Sequence, residues 1–257
     1  PVTLSFTDEQ GRQIRSFTLH LRKKHAKLTP AMRDRMTPAQ LKRNAEEELT
    51  AIEPGMNRFQ WDLRYPDATE VTGFYVPIAA GGEEDDVNGP AVVPGAYNAV
   101  LTYGGQRVQQ SFNVALDPQL HAPPDALAAR LALLLRIHET LDTLDKTINQ
   151  GIAMRDQLES AVATHRITKA QARSTITALD GEIGDLVQLQ IHSSEGSLLH
   201  ETKLRDHLAY LAADIDLAYD KPTPAQYAVF DELRGEAIAG EQKLRVALST
   251  LLRHSSR

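Results

Sequence analysis

The hydrophobic residues of this 257-residue chain change their spacing at a proline-rich stretch near residue 120, and this change limits the possible folds more than any other feature. Before the stretch, apolar residues occupy every second position, as in a strand with one buried face. After it, they recur at every third or fourth position, as in an amphipathic helix. Prolines at 118, 123 and 124 are typical of a linker. The pattern predicts a multidomain β + α chain, with a β module over residues 1–118 and a helical module over residues 119–257.

The β module has the pattern of an antiparallel immunoglobulin- or fibronectin-like β-sandwich. Apolar residues alternate in Val2–Phe6 and, most clearly, in Asn57–Arg64. A turn at Pro94-Gly95 precedes another alternating segment, and Gly104-Gly105 is typical of a two-residue hairpin loop, because glycine accepts the positive φ that such loops require. About six or seven short strands with few helices between them indicate a sandwich.

Two insertions interrupt the β module. Residues 22–55 carry basic side chains and a helix that is predicted to start at Thr37-Pro38-Ala39-Gln40. Threonine is the N-cap there, proline takes the first helical position and glutamine completes a capping box. Residues 79–90 form an acidic, glycine-rich loop.

Charge is distributed unevenly along the chain. Ten Lys and Arg residues lie between Arg12 and Arg43 against one acid, Asp34, although the net charge of the chain is −6. A basic segment of this kind is able to bind phosphates or anionic lipid. No aromatic residue for base stacking is interleaved among the basic side chains of residues 22–43, so we expect a solvated segment rather than a nucleic-acid site.

The second module is predicted to be an antiparallel bundle of three or four helices, because the connections between its helical segments are short. The first helix runs to about His165, and the second is capped by Thr168 with Gln171 in the reciprocal position. The third helix ends near Pro222, and the last begins at Thr223-Pro224. We expect the apolar stripes to fill the core of the bundle rather than to bind a partner, because each buried Leu or Ile contributes about 1.5–3 kcal/mol.

Few residues have the spacing of a metal site. The chain has no cysteine, which excludes thiolate zinc sites and thiol nucleophiles. The sequence His138-Glu139-Thr140-Leu141-Asp142 resembles the zinc-protease helix, but an aspartate stands where the second imidazole belongs. His200 and His207 are two helical turns apart, which is too far for one shared metal. The carboxylates at Glu83–Asp86 are able to hold calcium but match no EF-hand spacing, so we expect no cofactor, with calcium as the alternative.

We assign no catalytic residue. The sequence has no nucleophile elbow, P-loop or dinucleotide fingerprint. A pair of carboxylates for glycoside hydrolysis cannot be identified from sequence, because the two partners are often distant in the chain. No apolar run is long enough to span a membrane.

Three stretches together resemble a known group of proteins. They are Gly55–Pro66, Val93–Thr102, and Val114–Pro118 followed by long helices. They resemble the C-terminal region of large bacterial proteins labelled as glycosyl hydrolases, which carry neuraminidase-type or sortilin-like β-propeller repeats. The sandwich also resembles the Ig-like module of flagellar hook-capping proteins. In that group the propeller precedes these modules and would hold any glycosidase-like site. This chain has no Asp-box motif, so the resemblance supplies no catalytic position.

The resemblance implies a periplasmic, secreted or cell-surface protein, and a chain that opens in strand pattern at Pro1 is expected to be a fragment or a matured product. We therefore expect a non-catalytic accessory or interaction region that packs on or presents the propeller of the same polypeptide, or that contacts another protein. The alternative is a carbohydrate-binding module with Tyr65, Phe74 and Tyr75 as an exposed aromatic platform, and a third possibility is part of a glycoside hydrolase. Trp61 is in phase with its apolar neighbours and is expected in the core rather than on a sugar.

Overall fold

The computed structural model describes residues 2–22, 32, 38–74, 88–191 and 199–254. Its elements are β1 (Val2–Asp8), β2 (Gln13–Leu21), α1 (Pro38–Leu49), β3 (Ala51–Ile52), β4 (Gly95–Tyr103), β5 (Gln106–Val114), α2 (Pro124–Ala163), α3 (Lys169–Leu186), α4 (Leu204–Leu217) and α5 (Pro224–His254). The chain forms two compact units. The sheet unit comprises residues 1–66 and 91–117, and the helical unit comprises residues 67–90 and 118–257. A combination of β and α structure is therefore confirmed.

The sheet unit contains one five-stranded sheet with the order β3-β2-β1-β4-β5. Neighbouring strands are antiparallel except for the short pair of β2 and β3, which is parallel. Gly104 and Gly105 form the loop between β4 and β5 with φ of 57° and 79°, so the predicted hairpin is confirmed. A sandwich needs a second sheet, and the described part of the chain contains only this one.

The strand predicted over Asn57–Arg64 is wrong. This segment is irregular, and only Arg64 forms an isolated bridge, with Ala91. Leu63 has a φ of 61°, a left-handed conformation that is incompatible with a continuous strand. The alternation of apolar residues has another cause here, because Phe59 and Trp61 both pack their rings against the sheet.

These rings cover an aromatic face of the sheet. Trp61 stacks on Phe6 with ring centroids 4.2 Å apart, and its indole N–H donates to the carbonyl of Arg64 at 3.0 Å. Phe59 lies 4.8 Å from Phe17 between ring centroids. Trp61 is therefore half-buried and packs on the sheet, in line with the expectation that it contacts other apolar residues rather than a sugar.

The first insertion returns to the sheet. Helix α1 begins at Pro38, as the sequence predicts, and ends at Leu49, directly before β3. Thr37 and most of the basic segment, residues 23–31 and 33–37, lie outside the described residues. Arg22, directly after β2, forms an ion pair with Glu53 at 2.9 Å, which joins the two ends of the insertion.

The helices after the linker begin and end close to the predicted positions. Helix α3 has the predicted capping box, in which the Thr168 hydroxyl accepts from the Gln171 N–H and the Gln171 side chain accepts from the Thr168 N–H. Thr223 and Gln226 form the same pair of bonds before α5, at 3.2 and 2.8 Å. The two capping boxes thereby provide acceptors for four backbone N–H groups that have no hydrogen-bond partner within their helices.

Helices α3 and α4 lie one after the other along α2, and both run against its direction. Near the C-terminal end of α2, Arg155 pairs with Asp180 of α3 at 3.8 Å. Near its N-terminal end, Arg130 contacts Asp216 at the end of α4. Helix α2, with 40 residues, is long enough to accept both shorter helices in turn.

Helix α5 runs in the same direction as α2. Arg136 pairs with Asp231 at 3.4 Å early in both helices, and Gly151 faces Leu244 further along. Short connections therefore did not make every neighbouring pair antiparallel. The four helices share one core, whose fully buried members include Ile137, Leu144, Ile148, Leu179, Leu208, Phe230 and Leu244.

Candidate functional site

A segment before the helices packs into the core of the helical unit. We call residues 67–74 the strap. Ala68 and Val71 are only 6% and 5% exposed, and they belong to the same hydrophobic cluster as the helices. The sequence assigned this segment to the β module, but the burial of these two side chains groups it with the helices. The predicted domain boundary at residue 118 would therefore separate the strap from the helical unit to which it belongs.

Polar residues on one face of α2 hold the strap. Asp142 accepts hydrogen bonds from the Thr69 N–H at 3.0 Å and from the Thr69 hydroxyl at 2.8 Å. Asn149 accepts from the Thr72 N–H and donates to the Glu70 carbonyl, both at 2.8 Å. The amide of Asn149 therefore binds alternate backbone groups of the strap in the way that a neighbouring strand would.

The environment of Asp142 favours its charged form. Partial burial raises the pKa of the Asp142 carboxyl, but the hydrogen bonds from Lys146 and Thr69, with the positive charge of Lys146, outweigh it and hold the pKa below its usual value. The Lys146 ammonium lies 2.6 Å from this carboxylate. Asp142 is thus a charged anchor for the strap at neutral pH.

A buried ion pair lies one helical turn from this anchor. Asp145 of α2 and Arg205 of α4 are 0% and 1% exposed at their side chains, and Arg205 Nε lies 3.3 Å from Asp145 Oδ1. The guanidinium of Arg205 also packs over the ring of Phe74 at the end of the strap, 4.1 Å from its centroid. The pair therefore connects α2, α4 and the strap.

Arg130 holds the other end of α4. Its side chain is largely buried, and it donates to the Ile215 carbonyl at 3.2 Å and to the Asp216 carbonyl at 2.7 Å. Carbonyl groups at a helix C-terminus have no partner inside the helix, and the end of the helix dipole favours a cation. Helix α2 thus contacts both ends of α4 through buried charged side chains, Asp145 at the N-terminal end and Arg130 at the C-terminal end.

The three residues of the expected aromatic platform differ in their surroundings. Phe74 is half-buried beneath Arg205 in the helical unit, so it is not the exposed ring that a platform requires. Tyr65 belongs to the sheet unit and is also half-buried. Burial, and then the charge of Asp8, raise the pKa of the Tyr65 phenol. Tyr75 lies outside the described residues.

The residues considered for metal binding have other contacts. Asp142, which takes the ligand position in the sequence resembling a zinc helix, binds Thr69 and Lys146. His207 Nε2 lies 3.3 Å from the Thr202 hydroxyl. Across the described residues, no group of three or more histidine or acidic side chains could hold a metal ion, and the Glu83–Asp86 loop lies outside those residues.

No described helix combines the length and the apolar character needed to cross a membrane.

The sheet unit has an exposed apolar surface. Leu101, Tyr103 and Val108 are 41%, 65% and 66% exposed, and we call them the apolar row. The register places Leu4, Leu101 and Val108 directly opposite one another, on the same face as Phe6 and Phe112. Phe59 and Trp61 contact the aromatic part of this face, whereas the apolar row remains open to solvent.

Sequence reasoning missed the polar contacts that hold the strap. Asp142, Asp145 and Asn149 are spaced i, i+3 and i+7, which puts them on one face of α2. Because these polar residues lie beside the apolar stripe of α2, they could have indicated that another segment of the chain hydrogen-bonds to this helix. Nothing in the sequence alone identified residues 67–74 as that partner.

No family model, curated protein or solved structure matches this chain. The contacts within the two units are therefore the basis of the functional proposals that follow.

Proposed function

We propose that this chain is a non-catalytic accessory region of a larger exported protein and that it packs against a neighbouring module. By the resemblance of Gly55–Pro66 and Val93–Thr102, that module is a β-propeller of the same polypeptide. The observation that carries the proposal is the apolar row. Three large apolar side chains at least 41% exposed on one sheet face are suited to burial against another protein surface.

The buried charged residues support an accessory role. A catalytic group must reach its substrate, but Asp145 and Arg205 are almost completely buried and bind each other. Asp142 and Asn149 bind the backbone of the strap. These polar side chains are thus used to hold elements of the chain together.

The proposal includes a finer description of the fold and location. In this proposal the one described sheet is a layer of an Ig-like β-sandwich, and the helical unit is a three- to four-helix bundle. The protein is periplasmic, secreted or located at the cell surface. The strand order and the successive positions of α3 and α4 along α2 are compatible with this description.

Binding to the upstream part of the parent polypeptide tests the proposal. The 257-residue chain is immobilised, and the polypeptide encoded before Pro1 in the same reading frame is added. We expect retention of that polypeptide, and we expect Leu101→Asp to abolish it, because the charge would have to be buried at the interface. Thr102→Asp on the same strand, with its side chain on the opposite face, is the matched control and should bind like the wild type.

Three results would contradict the proposal. They are a parent polypeptide without a propeller, equal binding by both aspartate variants, and hydrolysis of a model glycoside by the isolated chain. Glycan binding that is lost in Tyr65→Ala would instead support the carbohydrate-binding alternative.

A further inference from the structure

Among the described residues, strand β5 forms one edge of the sheet and has an exposed outer side. It is last in the strand order, and Gln106–Ser111 are all exposed. An edge strand presents a row of backbone N–H and C=O groups that can pair with another strand. The opposite edge is different, because β3 has only two residues.

Strand β5 lacks the features that usually protect an edge. It has nine residues, Gln-Arg-Val-Gln-Gln-Ser-Phe-Asn-Val, with no proline and with Arg107 as its single charge. Its pairing with β4 runs from Gln106 to Val114 without a register shift. By contrast, β1 and β2 have an irregularity between Phe6 and Thr7. Natural proteins use charges, prolines and bulges to prevent edge pairing, so the regularity of β5 favours it.

The sequence of β5 is complementary to itself in antiparallel orientation. Two copies overlap fully when Gln110 lies opposite Gln110 of the second copy. Arg107 then lies opposite Asn113, and Gln109 lies opposite Ser111, so no like charges meet. The two Arg107 residues are six positions apart along the strands, about 20 Å, which is well beyond the screening length of about 8 Å at physiological salt.

The same register extends the apolar face. Directly opposite residues of an antiparallel pair share a face, so Val108 lies beside Phe112 of the second copy. Pairing would thus reduce the exposure of Val108, which is 66% exposed in the single chain.

We infer that β5 is a self-association surface, through which a second copy of this chain pairs antiparallel to form a continuous ten-stranded sheet. This inference does not rest on the proposed accessory function. A single strand pair is at the small end of specific interfaces, so the dimer is reversible and depends on concentration.

Sedimentation velocity of the full chain over a micromolar concentration series tests the inference. We expect the wild type to change from monomer to dimer as its concentration rises. Gln109→Lys/Ser111→Lys places lysines opposite lysines and should remain monomeric, as should Gln109→Glu/Ser111→Glu. An equimolar mixture of the two variants should form a heterodimer, because each lysine then faces a glutamate.

The control has the same charges on another strand. Ser16→Lys/Thr18→Lys adds two lysines with the same spacing to the same polar face on β2, and it should dimerise like the wild type. Trp61 fluorescence in every variant reports whether the sheet unit is folded. A wild type that stays monomeric, a lysine variant that dimerises normally, or charge-swapped variants that do not associate would each overturn the inference. Because Gln109 and Ser111 lie on the face opposite Leu101, binding to the upstream polypeptide is measured separately from this edge.

Discussion

The buried ion pair between Asp145 and Arg205 leads to a quantitative prediction. Both side chains are at most 1% exposed, so Asp145→Ala leaves the Arg205 guanidinium in the core without its Asp145 counter-charge. Removing one member of a buried pair typically costs about 3–5 kcal/mol. We expect the free energy of unfolding of the helical unit to fall by about this amount. The exposed pair of Arg136 and Asp231 is the control, and Asp231→Ala should change stability by about 0–1 kcal/mol.

Two spectroscopic signals separate the units in a urea titration. Trp61 is the only tryptophan and lies in the sheet unit, so its fluorescence reports unfolding of that unit. Far-ultraviolet circular dichroism is dominated by the helices and reports the helical unit. We expect Asp145→Ala to shift the circular dichroism transition to lower urea with a smaller shift, or none, in the fluorescence transition.

A double variant tests the electrostatic reason. Asp145→Leu/Arg205→Met replaces both charges by apolar groups, and the methionine can still contact Phe74. Replacing a complete buried pair is often neutral or stabilising, so this variant should recover most of the stability that Asp145→Ala loses. The reasoning would be refuted by a loss below about 1 kcal/mol in Asp145→Ala, or by a double variant that is less stable than the single one.

Three further predictions concern the helical unit. Asn149→Ala removes two hydrogen bonds to the strap and should cost about 1–3 kcal/mol, with faster amide exchange in the strap, whereas Gln150→Ala on the exposed side should change neither. The carboxyl of Asp142 has a lowered pKa in the folded state, so the stability that its charge contributes is complete above the ordinary aspartate pKa and is lost as the pH falls through the folded-state pKa. The difference in stability between the wild type and Asp142→Asn, measured by urea titration, should therefore shrink in acid. In Gly240→Ala the new methyl group would collide with Leu186 of α3, which should lower the free energy of unfolding by about 1–3 kcal/mol. Gly235→Ala lies in open space on the same helix and should raise the free energy of unfolding by about 1 kcal/mol; thermal melts measure both changes.

The helices were predictable because their signals are local. The capping box at Thr168 and Gln171 depends on residues three positions apart, and the apolar stripes of α2 depend on spacings of three and four. Both survive in any tertiary context that buries the stripe. The Gly104-Gly105 hairpin was predictable for the same reason, because the turn requires positive φ at both positions.

The strap and the Asn57–Arg64 segment were not predictable because their conformation depends on distant partners. Trp61 alternates with Phe59 as residues of a strand would, but both rings pack on the sheet from an irregular segment. Val71 is buried by helices more than 50 residues later in the chain, and the sequence around it has no period that indicates this. Periodicity reports that a residue is buried, but it does not report what buries it.

The position of the strap has a consequence for dissecting the protein. The chain passes from one compact unit to the other after Pro66, after Pro90 and again after Asp117, so neither unit is a continuous stretch of sequence. A fragment that starts at Pro118 would therefore lack Ala68 and Val71, and part of its own interior would face water. Any recombinant form of the helical unit therefore has to include the strap, for example as a separate peptide added in trans.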